Sequence, residues 1–217
     1  MATLDIIGAG NIGSNVARAA LAHGYEVVIS NSRGPETLTD LVAELGSGAV
    51  AGTTADAARQ GDLVLVAVPL KNIGDLDPAL FAGKIVIDAN NYYPQRDGLI
   101  PELEDESTTT SELLQAHLPD AKVVKAFNHI AAADIVAHAH AQPAGSPDRR
   151  ALIVAGDDKA AREAVAAFID TIGFDAVDLG ELSEGWRIQR DTPGYVARRT
   201  GPQLRDDVAA ARRYHAM

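Results

Sequence analysis

No cysteine occurs among the 217 residues. Disulfides, thiolate catalysis and cysteine-ligated zinc are excluded with it. Basic residues are in deficit: 19 lysines and arginines face 30 acids, a formal charge of -11. That balance argues against general binding to nucleic acid or to an anionic membrane, and it favours solubility. No apolar run approaches the roughly 20 residues needed to span a bilayer. The opening residues, MATLDIIGAG, carry no basic region and read as a first strand, not as a signal peptide. Internal repeats and low-complexity tracts are also missing. A cytoplasmic protein with no nucleic-acid and no membrane partner is the expectation.

What is present is ordinary for a globular protein. Hydrophobic residues make up 47% and charged residues 23%. The length suits one α/β domain, with room for a small appended one. Short apolar runs (TLDIIG, YEVVIS, GAVAG, DLVLVAVP, GKIVIDANN, AKVVKAFN, RALIVAG, FDAVDLG) alternate with helix-like stretches. NIGSNVARAALAHG closes on Gly24, and GPETLTDLVAELG opens on Pro35 and stops at Gly46. The alternation predicts a doubly wound, mostly parallel α/β sheet of Rossmann type, with a small C-terminal domain or extension. Two stretches interrupt the rhythm. NNYYPQRDGLIPELEDEST is long and aperiodic, either a binding loop or a solvated acidic connection. AHAHAQPAGSPDRR reads as a linker, which sets the expected domains at 1–140 and 141–217.

Gly8-Ala9-Gly10-Asn11-Ile12-Gly13 fits the dinucleotide fingerprint, and it stands between a predicted strand and a predicted helix. Gly8 permits a tight turn, Gly10 admits a pyrophosphate, and Gly13 lets helix and strand pack closely. The helix start at Asn11 and Ile12 would offer its amides to the phosphates. Binders of NAD carry an acid at the end of the second strand, for the ribose hydroxyls. Here that place holds Asn31, Ser32 and Arg33. Nothing there repels a 2′-phosphate, and Arg33 can bind one. NADP(H) is therefore the expected cofactor. The later strands end in Val68-Pro69, Asn90-Asn91 and Ala126-Asn128, on the edge where open parallel sheets bind ligands. Those asparagines suit a ribose or a carboxamide, and equally a turn.

Proton-transfer candidates are few. His129 is a weak catalytic candidate that reads more readily as a hydrogen-bonded structural histidine, and Lys125 lies within a strand. His138 and His140 have no third ligand, so no metal is expected. From Arg187 onward seven arginines face three aspartates, a net of +4 in an acidic chain. Trp186, Arg187 and Arg190 there could attract a planar anionic substrate, or simply belong to a packed, solvated tail.

The segments IIGAGNIGSNVARAALAHGYEVVISNSRGPETL, AVPL, VIDANNYYPQRDG, VVKAFNHI and LIVAGDD resemble the NADP oxidoreductase, coenzyme F420-dependent family. They are similar also to the cytosolic reductase domains of six-transmembrane metalloreductases. The resemblance implies hydride transfer between NADP(H) and a flavin-like acceptor, with coenzyme F420, FMN or FAD as candidates. It places the pyrophosphate on Gly8 to Gly13 and the 2′-phosphate on Ser32 and Arg33. The nicotinamide half falls near Val68, Pro69, Asn90, Ala126 and Asn128. The acceptor is expected near Asn91, His129, Trp186, Arg187 and Arg190, with the C-terminal domain contributing to its site. A homodimer is implied by the resemblance alone. Where the family strand commonly ends in KAFNT, this chain has His129 in the threonine's place. Two other functions compete: reduction of a small carbonyl or imine with His129 or Lys125 as proton donor, and redox sensing without turnover.

Overall fold

In the computed structural model, residues 2–61, 63–139 and 142–214 are described. Six strands form one parallel sheet in the order β3-β2-β1-β4-β5-β6. They are β1 (Thr3–Ile7), β2 (Glu26–Ser30), β3 (Ala49–Ala51), β4 (Leu63–Val66), β5 (Ile85–Asp88) and β6 (Lys122–Lys125). The chain winds outward from β1 to β3, then crosses back to lay β4 on the other side of β1. Crossovers leave in opposite directions there, which opens a crevice at the carboxyl ends of β1 and β4.

Helices cover both faces, so the central strands are buried and apolar throughout. On one face α1 (Asn11–Ala22) turns Val16, Ala17 and Ala20 inward, the stripe expected of a helix lying on a sheet. That layer continues through Leu4, Ile6 and Val124 to Phe168 and Ile169 of the C-terminal region, in one core. Tyr25 meets Phe168 edge-on at 5.2 Å. Val64, Val66, Phe81, Val86 and Leu114 fill the other face. Between the strands lie α2 (Thr39–Leu45), preceded by a 3-10 turn at Pro35–Leu38, the single turn α3 (Thr54–Ala57), and 3-10 turns at Leu70–Asp75 and Pro78–Phe81.

The aperiodic stretch after β5 is built from two single helical turns, α4 (Pro94–Asp97) and α5 (Pro101–Glu104), each opened by its proline. Tyr92 clasps them: its hydroxyl sits 2.7 Å from Glu104 Oε1 and accepts the Ile100 amide at 3.1 Å. Then come α6 (Thr110–His117), started by a capping box of Thr109 and Glu112, and α7 (Ala132–His138), which packs on α1.

The last two strands do not extend the main sheet. β7 (Ala151–Val154) and β8 (Asp175–Asp178) pair in parallel as a separate ribbon, joined by α8 (Lys159–Thr171). The ribbon meets β6 through one antiparallel bridge, Lys125 to Ala155. Beyond Ala126 the chain leaves strand geometry, because Phe127 has a φ of 62°. A 3-10 segment, Leu182–Ile188, and α9 (Gly201–Ala210) follow, and Ile188 and Leu204 pack beneath the ribbon. His140 and the boundary at 140/141 lie outside the described residues.

Candidate functional site

The turn after β1 shows which glycines the fold itself demands. Gly8 has a φ of +110°, and a Cβ there would lie 2.3 Å from the Ala67 carbonyl oxygen. A Cβ on Gly13 would lie 2.0 Å from the Gly8 oxygen. Gly10 differs: its φ is -81°, and an added Cβ would meet nothing within 4 Å. The fold does not need a glycine at position 10, and the open space there is the crevice. No side chain caps the start of α1, and no acid sits in its first turn. Its leading amides and positive dipole end suit an anion.

Two clefts meet at this turn, with Gly10, Ala67, Val68 and Pro69 in the walls of both. The first encloses about 730 Å³. Gly8 to Gly10, Asn31 to Gly34, Thr53 to Ala55 and the segment from Asn72 to Leu80 surround it. Ser30 is buried with its hydroxyl on the Ile6 carbonyl at 3.2 Å. Asn31 shapes the turn, accepting the Arg33 amide at 2.8 Å and donating to Thr37 Oγ1 at 2.9 Å. Ser32 and Arg33 are exposed, and among the described residues the Arg33 guanidinium has no partner. Glu36 stands in the first turn of the following 3-10 segment, its carboxylate folded back over Gly34.

The second cleft encloses about 550 Å³ and runs from Gly10 to Ile12 past the ends of β4, β5 and β6. Asn90, Asn91 and Asn128 come together in its wall. Asn90 is 3% exposed; its Oδ1 accepts the Val68 amide at 3.0 Å, while its Nδ2 has no partner among the described residues. Asn91 donates to the Asn128 carbonyl at 2.7 Å, and Asn128 Nδ2 donates to Asn91 Oδ1 at 3.3 Å and to the Ile188 carbonyl at 3.0 Å. Asn128 Oδ1 is likewise buried without a partner. A buried amide donor and a buried amide oxygen are thus left over beside the cleft, the complement of a carboxamide or hydroxyl ligand.

Beneath them lies a buried ionic network. Lys125 Nζ donates to Asp88 Oδ2 at 3.2 Å, the Asn90 carbonyl at 3.0 Å and Thr110 Oγ1 at 3.0 Å. Ser111 donates to Asp88 Oδ2 at 2.5 Å, and Asp88 Oδ1 takes the Asn90 amide at 2.9 Å. All three Lys125 donors are spent, so it positions Asn90 and has no proton to offer a ligand. His129 is fully buried, and its Nε2 accepts the Ile153 amide at 3.1 Å. Burial, reinforced by the nearby Arg150 charge, pushes its pKa down to about 3. It walls neither cleft.

Other sequence-predicted residues are scattered more widely. Ala126 is fully buried and Gly13 packs against the turn. The guanidinium groups of Arg187 and Arg213 lie 4.4 and 4.9 Å from the centre of the Trp186 ring. Arg187 pairs with Glu184, and neither it nor Trp186 forms a cleft wall. Arg190 reaches the second cleft only indirectly, 5.1 Å above the Tyr93 ring. Sequence reasoning missed Thr53 to Ala55 in the first cleft, and Tyr93 and Arg96 in the second. No local signal joins Tyr93 to Tyr195, whose hydroxyls meet at 2.8 Å. Among the described residues no group of three or more histidines or acids could hold a metal ion. His138 Nδ1 lies 3.2 Å from an Arg150 nitrogen. No described helix is long and apolar enough to cross a membrane.

Comparison with known proteins agrees with this geometry. The profile described as "NADP oxidoreductase coenzyme F420-dependent" matches residues 3–92, which contain the glycine turn, the Arg33 loop and Asn90. A solved structure from Arthrobacter sp. FB24, assigned as an F420-dependent NADP-reductase, superposes with a TM-score of 0.68 at 27% identity. It covers 83% of this chain and 85% of that one. The chain belongs to the NADP oxidoreductase, coenzyme F420-dependent family. A hypothetical protein from Sinorhizobium meliloti is similar over nearly its whole length: 34% identity, TM-score 0.79, 92% of this chain and 96% of that one. The metalloreductase STEAP3 of Rattus norvegicus is 27% identical over 189 residues, 86% of this chain. This member of the F420-dependent family spans only about a third (35%) of that metalloreductase. The family is described as one of NADP oxidoreductases.

Proposed function

We propose that this protein transfers a hydride between NADP(H), laid across the two clefts, and a flavin-like acceptor such as coenzyme F420, FMN or FAD. The observation that carries the reading is the pair of clefts sharing the Gly10 turn, with, among the described residues, an unpartnered arginine at one end and an unsatisfied Asn90 amide nitrogen and Asn128 amide oxygen at the other. On this reading the pyrophosphate lies against Gly10, Asn11 and Ile12. Ser32 and Arg33 take the 2′-phosphate, and the carboxamide end reaches Asn90 and Asn128. The two cofactors supply the chemistry, while the chain aligns donor and acceptor and keeps water away. Residues 1–140 act as the nucleotide-binding part and 141–217 as a smaller part that completes the acceptor site. The working form is a cytoplasmic homodimer, which light scattering would check.

The decisive experiment mixes the protein anaerobically with NADPH and a panel of deazaflavin, flavins, carbonyl compounds and imines, and follows absorbance near 340 nm. Oxidation with a deazaflavin or flavin supports the proposal. Turnover confined to carbonyls or imines would replace the acceptor class. Tight NADPH binding without any turnover would make the protein a sensor.

A further inference from the structure

Tyr93 and Tyr195 stand in the wall of the second cleft with their hydroxyl oxygens 2.8 Å apart. Two hydroxyls carry two protons, and the bond between them uses one. Neither oxygen has another hydrogen-bond partner among the described residues. One O–H is therefore left for whatever occupies the cleft. Burial, and then the bond to Tyr93, holds the Tyr195 phenol above its ordinary range, so the pair stays protonated and acts as a donor, not as a base.

The surroundings bias the kind of ligand. The Arg96 and Arg190 guanidinium groups lie 4.8 and 5.1 Å from the centre of the Tyr93 ring. Arg96 is engaged by Asp97, whereas Arg190 has no ion pair among the described residues. Backbone geometry is unusual beside the pair. Val196, a β-branched residue, holds a φ of 52° and lines the same cleft. Its amide donates to the His129 carbonyl at 3.0 Å, and its carbonyl accepts from buried Arg150 at 3.4 Å. Such conformations persist where the surrounding structure enforces them, and they cluster at functional sites.

We infer that the Tyr93–Tyr195 hydroxyl pair is the hydrogen-bond donor to the hydride acceptor, and that the acceptor is a conjugated ring bearing a carbonyl oxygen. Flavins, deazaflavins and quinones are of this class. The inference rests on the proposed reading of the clefts as a hydride-transfer site. In the step, a hydride with its electron pair leaves C4 of the nicotinamide and bonds to the acceptor ring. NADPH becomes NADP+, the ring gains two electrons, and negative charge gathers on its carbonyl oxygen. The free phenol O–H stabilises that charge, and water supplies the proton that completes the reduction. An iminium acceptor fits poorly, because it is cationic beside two arginines and develops no anion for the phenol to hold.

The test compares wild type with Tyr93→Phe, Tyr195→Phe and the double variant. NADPH binding is measured by calorimetry, and NADPH oxidation by stopped flow with FMN and with menadione. Either single variant keeps one hydroxyl, so kcat should fall by only about threefold. The double variant has none, and kcat should fall roughly 10- to 100-fold, the loss expected of a hydrogen bond to a charged group, with NADPH affinity within about twofold of wild type. A double variant no slower than the product of the two single effects would overturn the inference and leave the pair a brace between two loops. Wild-type turnover of a cyclic imine that protonates to an iminium, 1-pyrroline, with none of FMN or menadione would overturn it too. Wild type that fails to bind NADPH would overturn the underlying reading as well.

Discussion

Arg33 is the side chain on which the choice of cofactor turns. Its guanidinium is exposed and without a partner among the described residues at the end of β2, and Ser32 beside it is uncharged. A charge-assisted hydrogen bond contributes about 1.5 to 3 kcal/mol. Arg33→Ala should therefore weaken NADPH binding roughly 10- to 100-fold and leave NADH binding nearly unchanged in calorimetric titration. Equal losses for both cofactors would remove Arg33 from the 2′-phosphate. Gly10 allows a second test of the same kind. Because a Cβ there meets nothing within 4 Å, Gly10→Val should fold normally, with a native far-UV spectrum. Its side chain would fill the space left for the pyrophosphate, so no NADPH heat should appear. Gly13→Ala should do the reverse, losing stability in a denaturant titration, since its Cβ would stand 2.0 Å from a carbonyl oxygen.

At the scale of elements, the β6 end and the β7 ribbon are locked together through His129. Its buried Nε2 accepts the Ile153 amide, and its folded pKa is about 3 against an ordinary value of 6.5. The unfolded chain binds a proton below pH 6.5 that the folded chain refuses until about pH 3. Stability from this group is therefore complete above pH 6.5 and declines as pH falls through that window, with a slope approaching about 1.4 kcal/mol per pH unit. Urea unfolding of wild type and His129→Gln between pH 4 and 7 should show that slope difference. In the same variant, hydride transfer at neutral pH should fall less than about tenfold, short of the 10²- to 10⁴-fold typical of a lost general acid. A thousand-fold loss would return His129 to the chemistry.

The whole molecule carries -11 charges, yet the nucleotide it is proposed to bind is an anion. Local arrangement has to overcome the general field, through the helix start at Asn11, the free Arg33 and the arginines near Tyr93. The second cleft also joins distant parts of the chain, with Tyr195 and Val196 facing the Gly10 turn. A ligand seated there stabilises the folded state as a unit. At 100 times its Kd, NADP+ should add about 2.7 kcal/mol and raise the Tm by about 5 to 10 °C in a thermal melt. The Arg33→Ala protein at the same concentration should show a clearly smaller rise.

Much of this was legible locally. The parallel sheet follows from short apolar runs alternating with helical stretches, because each strand buried on both faces must be apolar along its length. The glycine turn follows from three positions whose backbones tolerate no Cβ or leave a gap for a ligand. The absence of an acid after β2 follows from reading three residues. Other features had signals that periodicity alone does not catch: α6 is announced by Thr109 and Glu112, whose side chains cap each other's amides. The rest depends on contacts between residues far apart in the chain. Lys125 looks like a proton donor until Asp88, Asn90 and Thr110 consume its three hydrogens. His129 and Trp186 stand near the right places in sequence, and packing turns both away from the cleft. Tyr93 and Tyr195 are unremarkable singly, and their hydroxyls meet across 102 residues. Local patterns determine strands, helices and the nucleotide turn, since those rest on the backbone of neighbouring residues. Which side chains face the ligand is decided by tertiary structure, which sets who is buried, who is paired and which donor remains free.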